Sequence, residues 1–156
     1  AVGDFAGFLR ENLDSLSSSS LISFQKELNH IKNYLALEQL RFGSRLKVQF
    51  DIEISDFDLP SLAIQPLVEN AVRYGVTKKS EGGTITISTK NTRAGILIIV
   101  ADDGAGFDMY HKKEDGRSHI GIENVKNRLK AQCDGELAIE SQLGKGTVVT
   151  ILIQKK

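Results

Sequence analysis

Apolar residues recur at helical spacing at Phe5, Phe8, Leu9, Leu13 and Leu16, with Asp4 ahead of them as an N-cap. Ser17 to Ser20 interrupts this pattern as a loop. A second helix is predicted roughly from Ser23 to Phe42, with Phe24, Leu28, Ile31 and Leu35 on one face and Gly43 as its stop. From Lys47 to Ile54 the period changes to two, because Val48, Phe50, Ile52 and Ile54 alternate with polar residues, as in a half-buried strand. Asp56 to Pro60 reads as a connector. Ser61 can cap a third helix, Leu62 to Tyr74, closed by Gly75 and apolar around much of its girth. Gly82-Gly83 marks a turn before two strands, Thr84 to Lys90 and Gly95 to Asp102. The run Ile96-Leu97-Ile98-Ile99-Val100 makes the second of these a central strand. Asp103 to His119 is polar, glycine-bearing and without periodicity, too long for an ordinary connection, which predicts a functional loop. A helix from Ile120 to Ala131 follows. Strands Glu136 to Ser141 and Thr147 to Gln154 then flank Gly144-Lys145-Gly146. Hairpins with helices between them predict an α+β fold, a mixed sheet with helices on one face.

Charge and composition narrow the function. Twenty basic residues balance twenty acidic ones in 156. A zero net charge argues against a protein that mainly grips nucleic acid, which needs a basic excess. The single cysteine, Cys133, forbids an intrachain disulfide and favours a reducing setting. The strictly apolar run Ile96 to Ala101 falls far short of the ~20 residues that span a bilayer. The chain starts at Ala1 rather than Met, so it reads as a piece of a longer protein.

Three polar clusters break the apolar pattern. Glu69, Asn70 and Arg73 sit inside the buried-looking third helix, with Asn70 and Arg73 three apart and so on one face. An amide oxygen suits Mg²⁺ and a guanidinium one turn on suits phosphate. The plainer reading is a helix rim on which Glu69 and Arg73 pair. Asp102-Asp103-Gly104-Ala105-Gly106 follows the central strand. A carboxylate there can accept hydrogen bonds from a ligand amine, and glycines let backbone approach a flat ring, although Asp-Gly is also an ordinary turn. Gly121, at the start of the fourth predicted helix with Asn124 one turn in, could offer backbone N–H groups to phosphate, or simply begin a helix.

The order of these clusters is more specific than any one of them. Leu62-Ala-Ile-Gln-Pro-Leu-Val-Glu-Asn70-Ala resembles the N box of Bergerat-fold ATPases. Asp102-Asp-Gly104-Ala-Gly106 resembles their G1 box, and Ile120-Gly121-Ile-Glu-Asn124-Val-Lys-Asn-Arg128-Leu their G2 box. Gly144-Lys-Gly146-Thr147 is similar to the box that follows. Gln65-Pro66-Leu-Val-Glu69-Asn70-Ala, with Glu27-Leu28, Tyr34-Leu35 and Arg41-Phe42 upstream, resembles sensor histidine kinases of the LytS type. The resemblance implies a two-layer α/β sandwich of the Bergerat type. Residues 21–156 would form the ATP-binding catalytic domain, and residues 1–20 the tail of an upstream dimerising helical region and a linker. It implies ATP and Mg²⁺ as cofactors, with phosphoryl transfer to a histidine and relay to a response regulator. The full-length protein would be a homodimer anchored in the cell membrane, with this domain on the cytoplasmic side.

By the matched positions, Asn70 would hold Mg²⁺, Arg73 would contact phosphates and Tyr74 would lie beside them. Asp102 would accept the adenine amino group. Gly104 and Gly106 would line the adenine pocket, with Thr147 near the base. Asp108 to His119 would be the ATP lid, with Gly121 and Asn124 meeting the phosphates. The chain departs from the pattern at two places. Pro66 stands four before Asn70, where ATP-hydrolysing relatives resembling gyrase and Hsp90 carry a water-activating Glu, so hydrolysis is not expected to be the main activity. Glu69, about 100° from Asn70 around a helix, could polarise a Mg²⁺-bound water or the acceptor imidazole. His119 stands where the G2 box often has glycine, and it would stiffen the lid or touch phosphate. Neither His30 nor the lid residues His111 and His119 has the acceptor's Asn-Pro-His-Phe-like context, so the acceptor is expected upstream. Two alternatives share the fold: a non-catalytic ATP-sensing module, and a serine protein kinase resembling anti-sigma factors, which generally keep Glu at the position of Pro66.

Overall fold

The computed structural model describes residues 21–107 and 116–154, with the side chains of 116–121 outside the description. The helix expected over Phe5 to Leu16 and most of the expected lid lie outside the described residues. Strand β1 (Leu21–Ser23) leads directly into helix α1 (Phe24–Phe42), where the Ser23 hydroxyl accepts from the Lys26 N–H at 3.2 Å as an N-cap. Gly43, at φ +62°, closes the helix. The expected face is buried: Phe24, Leu28, Ile31 and Leu35, and with them Glu27.

Strand β2 (Leu46–Ile52) follows. The stretch Asp58–Pro60, expected as a connector, is strand β3, which pairs antiparallel with β1 in a small second sheet. The stacked rings of Phe24 and Phe57, 4.6 Å between centroids, hold that ribbon against the base of α1.

The main sheet has five strands in the order β2, β4 (Gly83–Asn91), β5 (Gly95–Asp102), β7 (Gly146–Gln154), β6 (Glu136–Gln142). β2 runs parallel to β4 and every other pair is antiparallel, which makes the sheet mixed as expected. Between β2 and β4 the chain crosses over through helix α2 (Gln65–Asn70), which continues as a π-helical turn (Ala71–Gly75) and a 3-10 turn (Val76–Lys78). Helix α3 (Gly116–Cys133) precedes β6.

Register explains which side chains reach the core. Phe50, Ile87, Val100, Val149 and Ile139 fall on one cross-sheet row, and Ile52, Thr89, Ile98, Ile151 and Leu137 on the row two residues away. Apart from Phe50, which is exposed on edge strand β2, these rows form one core with residues from α1, α2 and α3, in which Ile87, Ile98, Ile151 and Leu129 are fully buried. The row toward the other end of the face reads Val48, Ile85, Asp102, Thr147, Ser141. Three neighbouring polar residues stand there where the pattern calls for apolar ones.

Two helix boundaries differ from expectation. α2 starts at Gln65 rather than Leu62, and Ser61 does not cap it. Leu62 instead adopts a left-handed φ of +57°, and the capping acceptor is a carboxylate from another element, that of Glu27. Pro66 then occupies the first turn, where its missing N–H costs no hydrogen bond. α3 starts at Gly116, four residues before the expected Ile120.

Candidate active site

A pocket opens where α2 passes over the polar row. Leu67, Asn70, Ala71, Tyr74 and Gly75 line it from the helical side, and Val100, Asp102, Thr147 and Val149 from the sheet. Phe107 and Ile122 complete the wall. An apolar slot with a few convergent polar groups is what a flat heteroaromatic ligand needs.

Asp102 is its half-buried charge. Its Oδ1 accepts from the Gly104 N–H at 2.9 Å, and the Thr147 N–H also bonds the carboxylate. Burial pushes its pKa up to about 6, opposed by these N–H donors and reinforced by neighbouring Asp103. Gly75 has to be glycine, since a Cβ there would lie 2.6 Å from Asp102 Oδ1. Gly104 backs onto the Gly75 carbonyl in the same way, so the two chains meet backbone to backbone behind the carboxylate. Asp103 faces away: its Oδ1 accepts from the Thr84 N–H at 2.7 Å and pins the start of β4. Lys79 donates to the carbonyls of Asp103 (3.0 Å) and Gly144 (3.1 Å), tying this loop to the β6–β7 hairpin. Gly106 has φ +64° and packs on the Gln142 carbonyl, shaping the loop rather than lining the pocket.

Strand register sets Thr147 next to Asp102. Its hydroxyl lies 2.7 Å from that of Ser141, which also accepts from the Phe107 N–H at 2.9 Å. Ser141 thereby fixes both Thr147 and the Phe107 wall. It was invisible as a site residue in the sequence, because one serine in an alternating strand carries no signal until register sets it beside Asp102 and Thr147.

The helical side divides the expected cluster. Asn70 and Tyr74 line the pocket, whereas Glu69 and Arg73 do not. Asn70 and Arg73 therefore do not share the face that three-residue spacing predicts. The wider i→i+5 winding of Ala71–Gly75 advances each residue by less, so the residue four on from Asn70 comes to its side. Arg73 is exposed, and Glu69 accepts from Gln65 Nε2 at 3.3 Å. Both lie within electrostatic reach of Tyr34 on α1. Its hydroxyl is pushed up to about 12 by burial first, then by Glu38 and Glu69, against Arg73 and Arg41.

The early start of α3 alters the third cluster. Gly121 is the sixth residue of the helix, past the four N–H groups that a helix N-terminus leaves unpaired. His119 is in the first turn, with its side chain outside the description. Asn124 lies on the exposed side of α3, and Ile122 is the residue that reaches the pocket.

Among the described residues no group of three or more His, Cys, Asp or Glu could cage a metal ion. Mg²⁺ is nevertheless compatible with the site. It commonly takes one or two protein oxygens and completes its shell with phosphate and water, and the half-buried Asn70 supplies such an oxygen at the pocket wall. No helix among the described residues is long and apolar enough to cross a membrane.

Known proteins show the same assignment. A family described as histidine kinase-, DNA gyrase B- and HSP90-like ATPase matches residues 55–156, and a histidine kinase family matches residues 1–46. The chain is 42% identical to YwpD of Bacillus subtilis, over 96% of this chain and 56% of that protein. It is 38% identical to the sensor histidine kinase YpdA of Escherichia coli, over 94% of this chain and 26% of YpdA. The sensor protein LytS of Oceanobacillus iheyensis is 29% identical, over 94% of this chain and 27% of its own length. The chain thus spans about a quarter to a half of the relatives it matches. In fold it is similar to the histidine kinase AdeS of Acinetobacter baumannii, with a TM-score of 0.66 at 16% identity, covering 98% of this chain and 80% of that one. The catalytic domain of histidine kinase ThkA gives 0.60 at 17% identity, covering 87% and 96%. Boxes in order, a pocket over the polar row and these matches converge: the chain is similar over most of its length to sensor histidine kinases such as YpdA and LytS, and it belongs to the histidine kinase-, DNA gyrase B- and HSP90-like ATPase family.

Proposed function

We propose that this chain binds ATP with Mg²⁺ and presents the γ-phosphoryl group to a histidine on helices of the same protein, for relay to a response regulator. The observation that carries this reading is Asp102, a half-buried carboxylate at the sheet end of an apolar pocket, anchored by the Gly104 N–H and facing glycine backbone. It accepts a hydrogen bond from the adenine amino group, while Leu67, Val100 and Ile122 cover the ring. Gly104 gives the loop its close approach to Gly75, Gly106 sets its turn, and Thr147 holds the second side of Asp102. Asn70 would hold Mg²⁺, which would offset the charge of the phosphates. Tyr74 flanks the phosphates. Arg73, Gly121, Asn124 and His119 meet the phosphates in the bound state, and Glu69 orients the acceptor or a metal-bound water. Pro66 lies where a general base for water would have to be, which favours transfer over hydrolysis and weighs against a serine kinase of the anti-sigma type. We take the parent protein to be homodimeric and membrane-anchored, with this domain on the cytoplasmic side.

Incubation with γ-labelled ATP and a separately supplied helical hairpin bearing the relatives' histidine tests the proposal. Label on the hairpin, lost with Asn70→Ala, is expected. ATP binding without transfer would identify a nucleotide-sensing module instead. A chain that binds ATP should also gain about 2.7 kcal/mol of stability at 100 times Kd, read in a thermal melt.

A further inference from the structure

We infer that Glu27 on α1 and Arg128 on α3 are positioning residues that bracket the Ser61–Ile64 turn, so that nucleotide at the Asn70 pocket and the pose of α1 control one another. The inference rests on the ATP-binding reading above.

The turn is held from two sides. Both Glu27 oxygens are used: Oε1 accepts from the Leu62 N–H at 3.2 Å and Oε2 from the Ile64 N–H at 2.8 Å. Arg128 Nη1 donates to the Leu62 carbonyl at 3.3 Å, and Nη2 donates to that of Ser61. The two side chains attract each other across the turn. Between them Leu62 sits at φ +57°, a conformation that costs a branched residue about 1–2 kcal/mol and persists only where its surroundings over-determine it.

The bracket acts on the site through two short, stiff paths. From Ile64 the chain enters α2, and Asn70 comes six residues later, about 9 Å along the axis. Glu27 takes the amides at the start of α2, so the direction of that helix is tied to α1. On the other side, Arg128 lies four residues after Asn124 and six after the pocket residue Ile122, all on α3. A displacement of α3 by nucleotide therefore pulls on the Ser61 and Leu62 carbonyls. The same turn passes that pull to Glu27 and α1.

Fully buried Glu27 is an expensive way merely to glue two helices together. An apolar contact of similar volume avoids the desolvation of a charge and is often no less stable. Directional bonds add a defined geometry, and any coupling they carry must run equally in both directions.

Amide exchange on the 156-residue chain, with ATP and Mg²⁺ at matched saturation for each variant, tests the bracket. In the wild type, nucleotide should slow the Leu62 and Ile64 amides by about tenfold more than the Gly95 amide of the β4–β5 turn, at the sheet end away from the pocket, a factor within the usual range of coupling between sites. Arg128→Ala should abolish this excess while leaving Gly104 and Thr147 slowed, and Arg128→Lys should restore part of it. Ile52→Ala, which trims the far end of β2, should lower stability yet keep the excess. Glu27→Gln carries the same test should Arg128→Ala not fold. Wild-type chain that binds ATP without excess slowing at Leu62 and Ile64 would overturn the inference, as would retention of the excess in Arg128→Ala. A wild type that fails to bind ATP in the accompanying titration would overturn the functional reading, and the coupling with it.

Discussion

Half-buried Asp102 and fully buried Glu27 are both carboxylates anchored by backbone N–H groups, and burial raises the pKa of both. Their surroundings nevertheless assign them different work. Glu27 spends both oxygens on Leu62 and Ile64 at the start of another helix and lines no described pocket. Asp102 is anchored at the polar end of a sheet face and opens onto an apolar slot. Burial and a raised pKa therefore do not separate a structural acid from a ligand-reading one; remaining acceptor capacity facing a cavity does.

The largest expected difference between the two is in folding. Glu27→Ala leaves the Leu62 and Ile64 amides without their acceptor, and should cost about 1–3 kcal/mol for each in chemical denaturation. A loss below ~1 kcal/mol would mean that water or a shift of the turn replaces the carboxylate.

Asp102→Asn should act the other way on stability. A carboxyl whose pKa is raised on folding binds its proton more tightly in the native state, so stability declines as pH rises from 3.8 to about 6. That displacement corresponds to at most about 3 kcal/mol, so the nucleotide-free variant should be more stable than wild type at pH 7.5 and lose this advantage below pH 4. Affinity should fall, because hydrogen bonds to charged groups contribute roughly 1.5–3 kcal/mol, about tenfold to a hundredfold in Kd. The preference for ATP over GTP should shrink, since Asn offers a donor to the guanine carbonyl. Adenosine, which lacks phosphates, should bind wild type more weakly as pH drops through about 6, while the variant shows no such step. Unchanged affinity and base preference would reduce Asp102 to turn chemistry.

The smallest effect is expected at Ser141. Ser141→Ala removes the acceptor of the Phe107 N–H and the partner of the Thr147 hydroxyl, and should weaken adenosine by about 1 kcal/mol, roughly fivefold in Kd. No change would show that Phe107 and Thr147 hold position without it.

The sequence by itself determined the elements with a strong period. α1, β5 and the β6–β7 hairpin lie within one or two residues of expectation, because their apolar spacing and glycine stops act locally. The family and the ATP boxes were legible too, since Asn70, Asp102 and Gly104 are contiguous motifs in a characteristic order. Tertiary structure decided the rest. A connector became β3 because β1 offered it a partner. α2 began late because its capping acceptor came from Glu27, 35 residues before Leu62, and no local rule reaches that far. The π-helical turn took Arg73 off the pocket face, which ideal helical spacing does not foresee. Ser141 joined the site through register alone. Hydrophobic period and local caps are written between neighbours along the chain, whereas buried hydrogen-bond partners are chosen across space, after the layers have met.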